Sequence, residues 1–332
     1  MKKILLSFTL LMSVITVTAQ DAEQLHETAL TFMRQGDFSN AILVLNRAYL
    51  MQPKNTQIGK DLALNYYFKK EYTKALEIIK PVLDNNDADD QCFQVAGDIY
   101  QALQDPAGCE KIYKKGLKKF PDNGALYNEY GELLWQQSDY NAIKQWEKGI
   151  EVDPGFSKNY YNACRYYYLT TDKVWSLIYG EIFLNIDPMS NYGPELKNIL
   201  LESYKKLFAD ADIEKNNKDK NSFVAAFLQT MNRQSSLIAN GINTESLTML
   251  RTRFLLDWNS TYAKKFPYRL FDYQRQLLQD GMFDAYNRWI FGAAENLPGY
   301  QNWTNTHPEE YTELARFQKG RIFRIPKGQY YH

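Results

Sequence analysis

The residue types that carry most protein chemistry are sparse in this chain and poorly spaced for it. Its three histidines, His26, His307 and His332, stand far apart. None has a second His four residues on, so no helical metal-hydrolase pair can form. There is no G-x-S-x-G elbow, no G-x-G-x-x-G turn and no P-loop. The densest acidic run is "DNNDADD", Asp84 to Asp90, which invites comparison with a calcium loop but lacks the required glycine. With Asp87 as first ligand, Cys92 occupies the place of that Gly. A solvated turn with acids ahead of the next helix N-terminus accounts for the run better. The expectation is no catalytic residue, no metal site, no cofactor and no enzyme activity.

Three cysteines, Cys92, Cys109 and Cys164, allow one disulfide at most. Charges balance at 39 basic and 39 acidic residues, which argues against a nucleic-acid partner. Aromatic residues make up 15% of the 332, led by 25 Tyr, a type that serves packed helices and recognition surfaces alike.

The chain opens "MKKILLSFTLLMSVITVTAQ". Two lysines, an apolar run and a small-residue site at Val17-Thr18-Ala19 read as a signal peptide over 1–19. The run is shorter than the roughly 20 residues of a membrane span, and no later segment is apolar enough to span a bilayer. The mature protein is expected to be exported, periplasmic or secreted, with no transmembrane segment.

The elements that position side chains are set by a repeat. Pro53, Pro121, Pro154 and Pro188 are separated by about one or two periods of roughly 34 residues. Each copy reads as two helices. Ala29, Ala63, Ala96, Gly131 and Ala163 lie on the first helices, and Ala41, Ala75, Cys109, Ala142 and Ser176 open the second. Helices approach closely only where small side chains meet, larger residues fill the flanks, and Pro ends the pair. One pair cannot bury its own apolar face, so the copies must stack.

This pattern resembles the tetratricopeptide repeat, with its Gly or Ala at the first-helix crossing, Ala at two second-helix positions and a terminal Pro. The resemblance covers Ala22 to Ser190 and implies an all-α fold: an α-solenoid of about five helix pairs over 20–190. Cys109 and Cys164 fall on crossing positions and read as small core residues. Residues 191–332 resemble nothing recognised and read as a helical capping region. Helices are expected at Pro194–Ala209, near Ser222–Ile238, at Thr244–Phe266 with Thr244 as cap, and around Pro308–Lys319. Asp210–Asn221 reads as a linker. "QDGMFDAYNRW" aligns with "QQSDYNAIKQW", which marks 267–298 as a degenerate helix pair.

In proteins with this repeat, partners lie along a groove lined by the first helices. The groove positions of this chain include Lys60, Tyr67, Asn128, Trp135, Tyr161, Arg165 and Tyr168 as candidate partner-binding residues. Trp135 and Tyr168 are also open to packing against the C-terminal helices. The Lys/Asn/Arg carboxylate clamp of some such proteins is absent, since Leu64 follows Lys60 by four and Tyr161 precedes Arg165 by four. The expected function is a non-catalytic protein–protein interaction scaffold of the bacterial envelope that binds a protein or peptide. The alternative is a glycan or peptide binder that uses the aromatic C-terminal half.

Overall fold

The computed structural model describes residues 21–209, 213–214 and 221–332. The signal peptide at 1–19 and most of the linker at 210–221 lie outside those residues. The described residues are helical, with no strand. None of their helices is long and apolar enough to cross a membrane. The chain divides into two compact units at Gln137/Ser138.

The first unit holds α1 (21–34), α2 (Phe38–Met51), α3 (Thr56–Phe68), α4 (Tyr72–Val82), α5 (Asp90–Ala102), α6 (Pro106–Lys119) and α7 (Gly124–Gln136). Successive helices pack antiparallel as tetratricopeptide-like pairs, and α5 also touches α3 and α7. Ala41, Leu45 and Ala48 form the buried stripe of α2, and Ala75 and Ile79 that of α4. Asp37, Asn55, Asp89, Asp105 and Asn123 cap α2, α3, α5, α6 and α7 by accepting from backbone N–H groups. Such caps are worth about 1 kcal/mol each. At one tight crossing, a Cβ on Gly97 would stand 2.4 Å from the Tyr113 ring. The Cys109 thiol reaches the Gly97 carbonyl, at 3.5 Å.

The turn inside each pair has one left-handed residue: Gly36, Lys70 and Gln104, at φ 72°, 61° and 56°. In the second unit Ser138 continues this spacing, at φ 59°. Ala142 follows Cys109 by 33 residues where Ala41, Ala75 and Cys109 stand 34 apart, so copy four is one residue short. The loss falls after Ser138, where a tight turn leads into α8 with no side-chain cap.

The second unit holds α8 (Ala142–Val152), α9 (Ser157–Leu169), α10 (Lys173–Ile186), α11 (Gly193–Leu207), α12 (Ser222–Asn232) and α13 (Thr244–Thr261). Then follow α14 (Arg269–Gln279), α15 (Phe283–Asn287), a π turn (Arg288–Gly292), α16 (Ala293–Glu295), α17 (Leu297–Thr306) and α18 (Pro308–Gly320). The repeat geometry changes at copy five. Every residue of α10 from Lys173 to Asn185 is buried, so this helix is the centre of the unit. Trp175 stacks on Phe223 at 5.7 Å, and Phe223 on Tyr331 at 4.9 Å. Segment 267–298 forms α14 and the α15–α16 run, joined at Gly281 with φ 77°. Asn243 rather than Thr244 caps α13, in a capping box with Ser246. Thr244 instead donates its N–H to Glu295, at 2.6 Å.

Candidate functional site

Asp84–Asp90 shows how fully the turns of the first unit are committed. Asp84 pairs with Lys115 at 2.7 Å, Asp87 accepts from Thr56 at 2.6 Å and Asp90 from Asn123 at 2.7 Å. The Lys119 ammonium donates to the carbonyls of Ala88, Asn86 and Asn85 at 2.7, 3.0 and 3.3 Å. A cation already sits on the loop. Among the described residues, no group of three or more His, Cys, Asp or Glu is placed to hold a metal. All three cysteines are free and buried. Burial pushes the thiols of Cys92, Cys109 and Cys164 up to about 12, 11 and 12. They act as small core residues and not as nucleophiles.

Four sequence-predicted binding residues lie in the first unit, and two of them are buried. Lys60 is only 6% exposed, and its ammonium is spent on Asp89 at 2.7 Å and Gln91 at 2.9 Å. Burial opposes ionisation of Asp89, but Lys60 and the Cys92 N–H outweigh it and bring the carboxyl down to about 2. Asn128 is fully buried and donates to Glu132 at 2.9 Å. Both residues hold repeat to repeat or turn to turn. Tyr67 is half-buried in an aromatic group with Phe68 and Tyr72, each 5.7 Å away. Trp135 is half-buried on α7.

The other three lie in the second unit, where α9 and α11 pack side by side. Tyr161 is 8% exposed. Its hydroxyl donates to Glu195 at 2.8 Å, and its ring lies 4.4 Å from Tyr192 and 5.7 Å from Phe183. It is a support rather than a contact residue. Arg165 is exposed, 5.2 Å over the Tyr161 ring, with its Nε 3.1 Å from Glu195. Tyr168 is half-buried, with the exposed Lys206 ammonium 3.7 Å above its ring. The α9–α11 face therefore presents Arg165 and Tyr192, held by Glu195 and Tyr161, and Tyr168 with Lys206 over its ring.

Tyr192, Glu195 and Lys206 escaped the sequence reading because the repeat was stopped at copy five. Tyr161 and Glu195 stand 34 residues apart. One more 34-residue period from Lys158 and Tyr161, groove places of α9, falls on Tyr192 and Glu195; Lys206 has no such signal. Many rings of the C-terminal half are taken up in the core. Trp175, Phe223, Phe254, Trp258 and Phe271 are buried against one another, and the gaps beside them measure only about 10 Å³.

No protein-family model matches the sequence. The chain is 27% identical over 139 residues to BBSome complex member BBS4 of Bos taurus, which covers 42% of this chain. It thus spans about a quarter, 27%, of that relative's length. Among solved structures it is similar to PilF of Pseudomonas aeruginosa, at 13% identity and TM-score 0.49, over 64% of this chain and 98% of that one. It is also similar to YrrB, described as a TPR protein with an unusual peptide-binding site, at 16% identity and TM-score 0.41 over 58% and 97%. MamA aligns at 16% identity and TM-score 0.43, over 51% and 93%. These scores are low, so the tetratricopeptide-like fold rests on the helix pairs themselves.

Proposed function

We propose that the chain is a non-catalytic interaction scaffold, exported to the bacterial envelope, which holds a protein or extended peptide on its first-helix faces. In the second unit the binding surface is the α9–α11 face. The observation that carries this reading is the pre-set arrangement of Arg165 and Tyr192 around Tyr161–Glu195, with Lys206 over Tyr168 beside it. Tyr and Arg dominate binding hot spots. Side chains already fixed by internal contacts lose less freedom when a partner arrives. No nucleic acid and no cofactor enters this function.

Photo-crosslinking tests it, with benzoylphenylalanine placed at Tyr168, at Tyr192 and, as control, at the exposed Leu43 of α2. The expected result is one partner captured at the first two positions and not at Leu43. Its affinity should fall at least tenfold in Arg165→Ala/Tyr192→Ala, roughly the loss of one hot-spot residue. Equal capture at all three positions, or unchanged affinity, refutes the assignment of this face. N-terminal sequencing of the mature chain tests export: a sequence that begins at Met1 refutes it.

A further inference from the structure

A second feature of the C-terminal region has the chemistry of a binding site and lies outside the α9–α11 face. It is a cleft of about 190 Å³ formed by the α14–α15 turn, the π turn, α17 and the first turns of α18. Its floor is apolar: Met282, Ala285 and Trp303 are all buried. Its rim is mostly acidic, with Asp284, Glu310 and Glu313 against a single permanent cation, Arg288.

The backbone explains why these groups converge. Arg288 opens the π turn, and such turns are often found at functional sites. At the other end of that turn, a Cβ on Gly292 would stand 2.7 Å from the Tyr300 ring, so α17 sits tightly against it and brings Trp303 to the floor. His307 stacks on Trp303 at 5.2 Å, 11° from parallel, and starts α18, which carries Glu310 and Glu313.

The charges on the rim are unevenly used. Arg288 Nε donates to Asp284 at 2.9 Å, and its guanidinium rests over the Trp303 ring at 5.4 Å. Among the described residues, neither Glu310 nor Glu313 has a cation within ion-pair distance. The cleft thus already holds a guanidinium between a carboxylate and an indole, and its other two carboxylates have no such guest.

We propose that this cleft binds a basic side chain, an arginine or lysine of an extended partner segment. Its alkyl stem lies on Met282, Ala285 and Trp303, and its cation meets Glu310 and Glu313. Long basic side chains bury their stems on apolar surface while the head stays with its counter-charge. With Asp284 paired to Arg288, the remaining carboxylates of Glu310 and Glu313 favour a positive guest over a neutral or anionic one. The site shares no residue with the α9–α11 face, so either assignment can fail without the other.

The test uses the full chain labelled with 5-fluorotryptophan, with the Trp303 resonance assigned by Trp303→Phe. The probes are blocked Gly-Arg-Gly, its citrulline analogue and spermidine. The arginine peptide should move the Trp303 resonance and the neutral citrulline analogue should not. Binding should weaken roughly tenfold or more in Glu310→Gln/Glu313→Gln. Both glutamates are exposed, so that variant should keep the parent's melting temperature. Equal shifts with arginine and citrulline peptides, no shift with arginine, or unchanged affinity in the double variant overturns the proposal. A response to spermidine alone assigns the cleft to free polyamines and overturns the peptide source.

Discussion

Glu147 on α8 is a buried acid with few partners. The Tyr167 hydroxyl donates to its Oε1 at 2.6 Å, and His332 Nε2 lies 3.1 Å from the same oxygen. Burial pushes the Glu147 carboxyl from 4.5 up to about 7; the Tyr167 hydrogen bond opposes the rise and the charge of Asp172 adds to it. A carboxyl raised in the folded state binds its proton more tightly there than in the unfolded chain. Its contribution to stability is complete below pH 4.5 and is lost as pH rises through about 7. The rise from 4.5 to about 7 corresponds to at most ~3 kcal/mol at 1.36 kcal/mol per pH unit. Glu147→Gln keeps an acceptor for Tyr167 and removes the charge. The variant should gain about 1–3 kcal/mol over the parent at pH 8 and almost nothing at pH 5. Urea unfolding of the full chain at both pH values, followed by near-ultraviolet circular dichroism, measures it. A variant less stable than the parent at pH 8 would refute the reasoning. It would mean that the Glu147–His332 contact outweighs the cost of burying the carboxylate.

Other substitutions test the helix crossings and the polar core. Gly97→Ala should cost about 1–3 kcal/mol in thermal or urea melts. That cost should largely vanish in a Tyr113→Leu background, which removes the ring the new methyl would meet. Lys70→Gly and Gln104→Gly should each raise stability by about 0.5–1 kcal/mol, because both residues hold left-handed backbone. Gly36→Ala should lower it by about 1 kcal/mol for the same reason. Arg251 is buried, donates to Glu181 and Asn287, and lies over the Phe291 ring at 5.2 Å. Arg251→Met should cost about 3–5 kcal/mol, and adding Glu181→Leu should recover part of it, although Gln274 and Tyr286 then lose their acceptor.

Much of the first unit was legible because a repeat writes its packing locally. Ala41 and Ala75 are fully buried where the spacing put them, and Asp84–Asp90 is the turn its composition suggested, every acid engaged across it. The left-handed turn positions were only partly visible. Gly36 announces one, but Lys70 and Gln104 do not, since the fold imposes that backbone on residues that gain nothing from it. The groove was read less well. The period says which places of a first helix face the next repeat, but not which of them its neighbour claims. Lys60 finds Asp89 29 residues on. Asn128 turns inward to Glu132.

The second unit departs from the repeat for a physical reason that one period cannot express. A second helix of a tetratricopeptide-type pair needs one apolar stripe, and α10 is apolar nearly all round, with Trp175, Leu177, Ile178, Tyr179, Ile182, Phe183 and Leu184 all buried. Such a helix has to be covered on every side, and the cover comes from far along the chain. Asn185 donates to Tyr286 at 2.6 Å across 101 residues, and Gln274 to Glu181 at 2.5 Å across 93. The first-helix stack nevertheless survives one step longer, since α11 takes the place that a sixth first helix would take and carries Glu195 to Tyr161. The aromatic wealth of the C-terminal half is thereby split in two. Rings such as Phe223 and Tyr286 cover α10, and Tyr168 and Tyr192 remain where the repeat still runs. If partner recognition is inherited from the repeat, substitutions on α9 and α11 will alter it, while conservative changes that preserve the cover of α10 will alter stability alone.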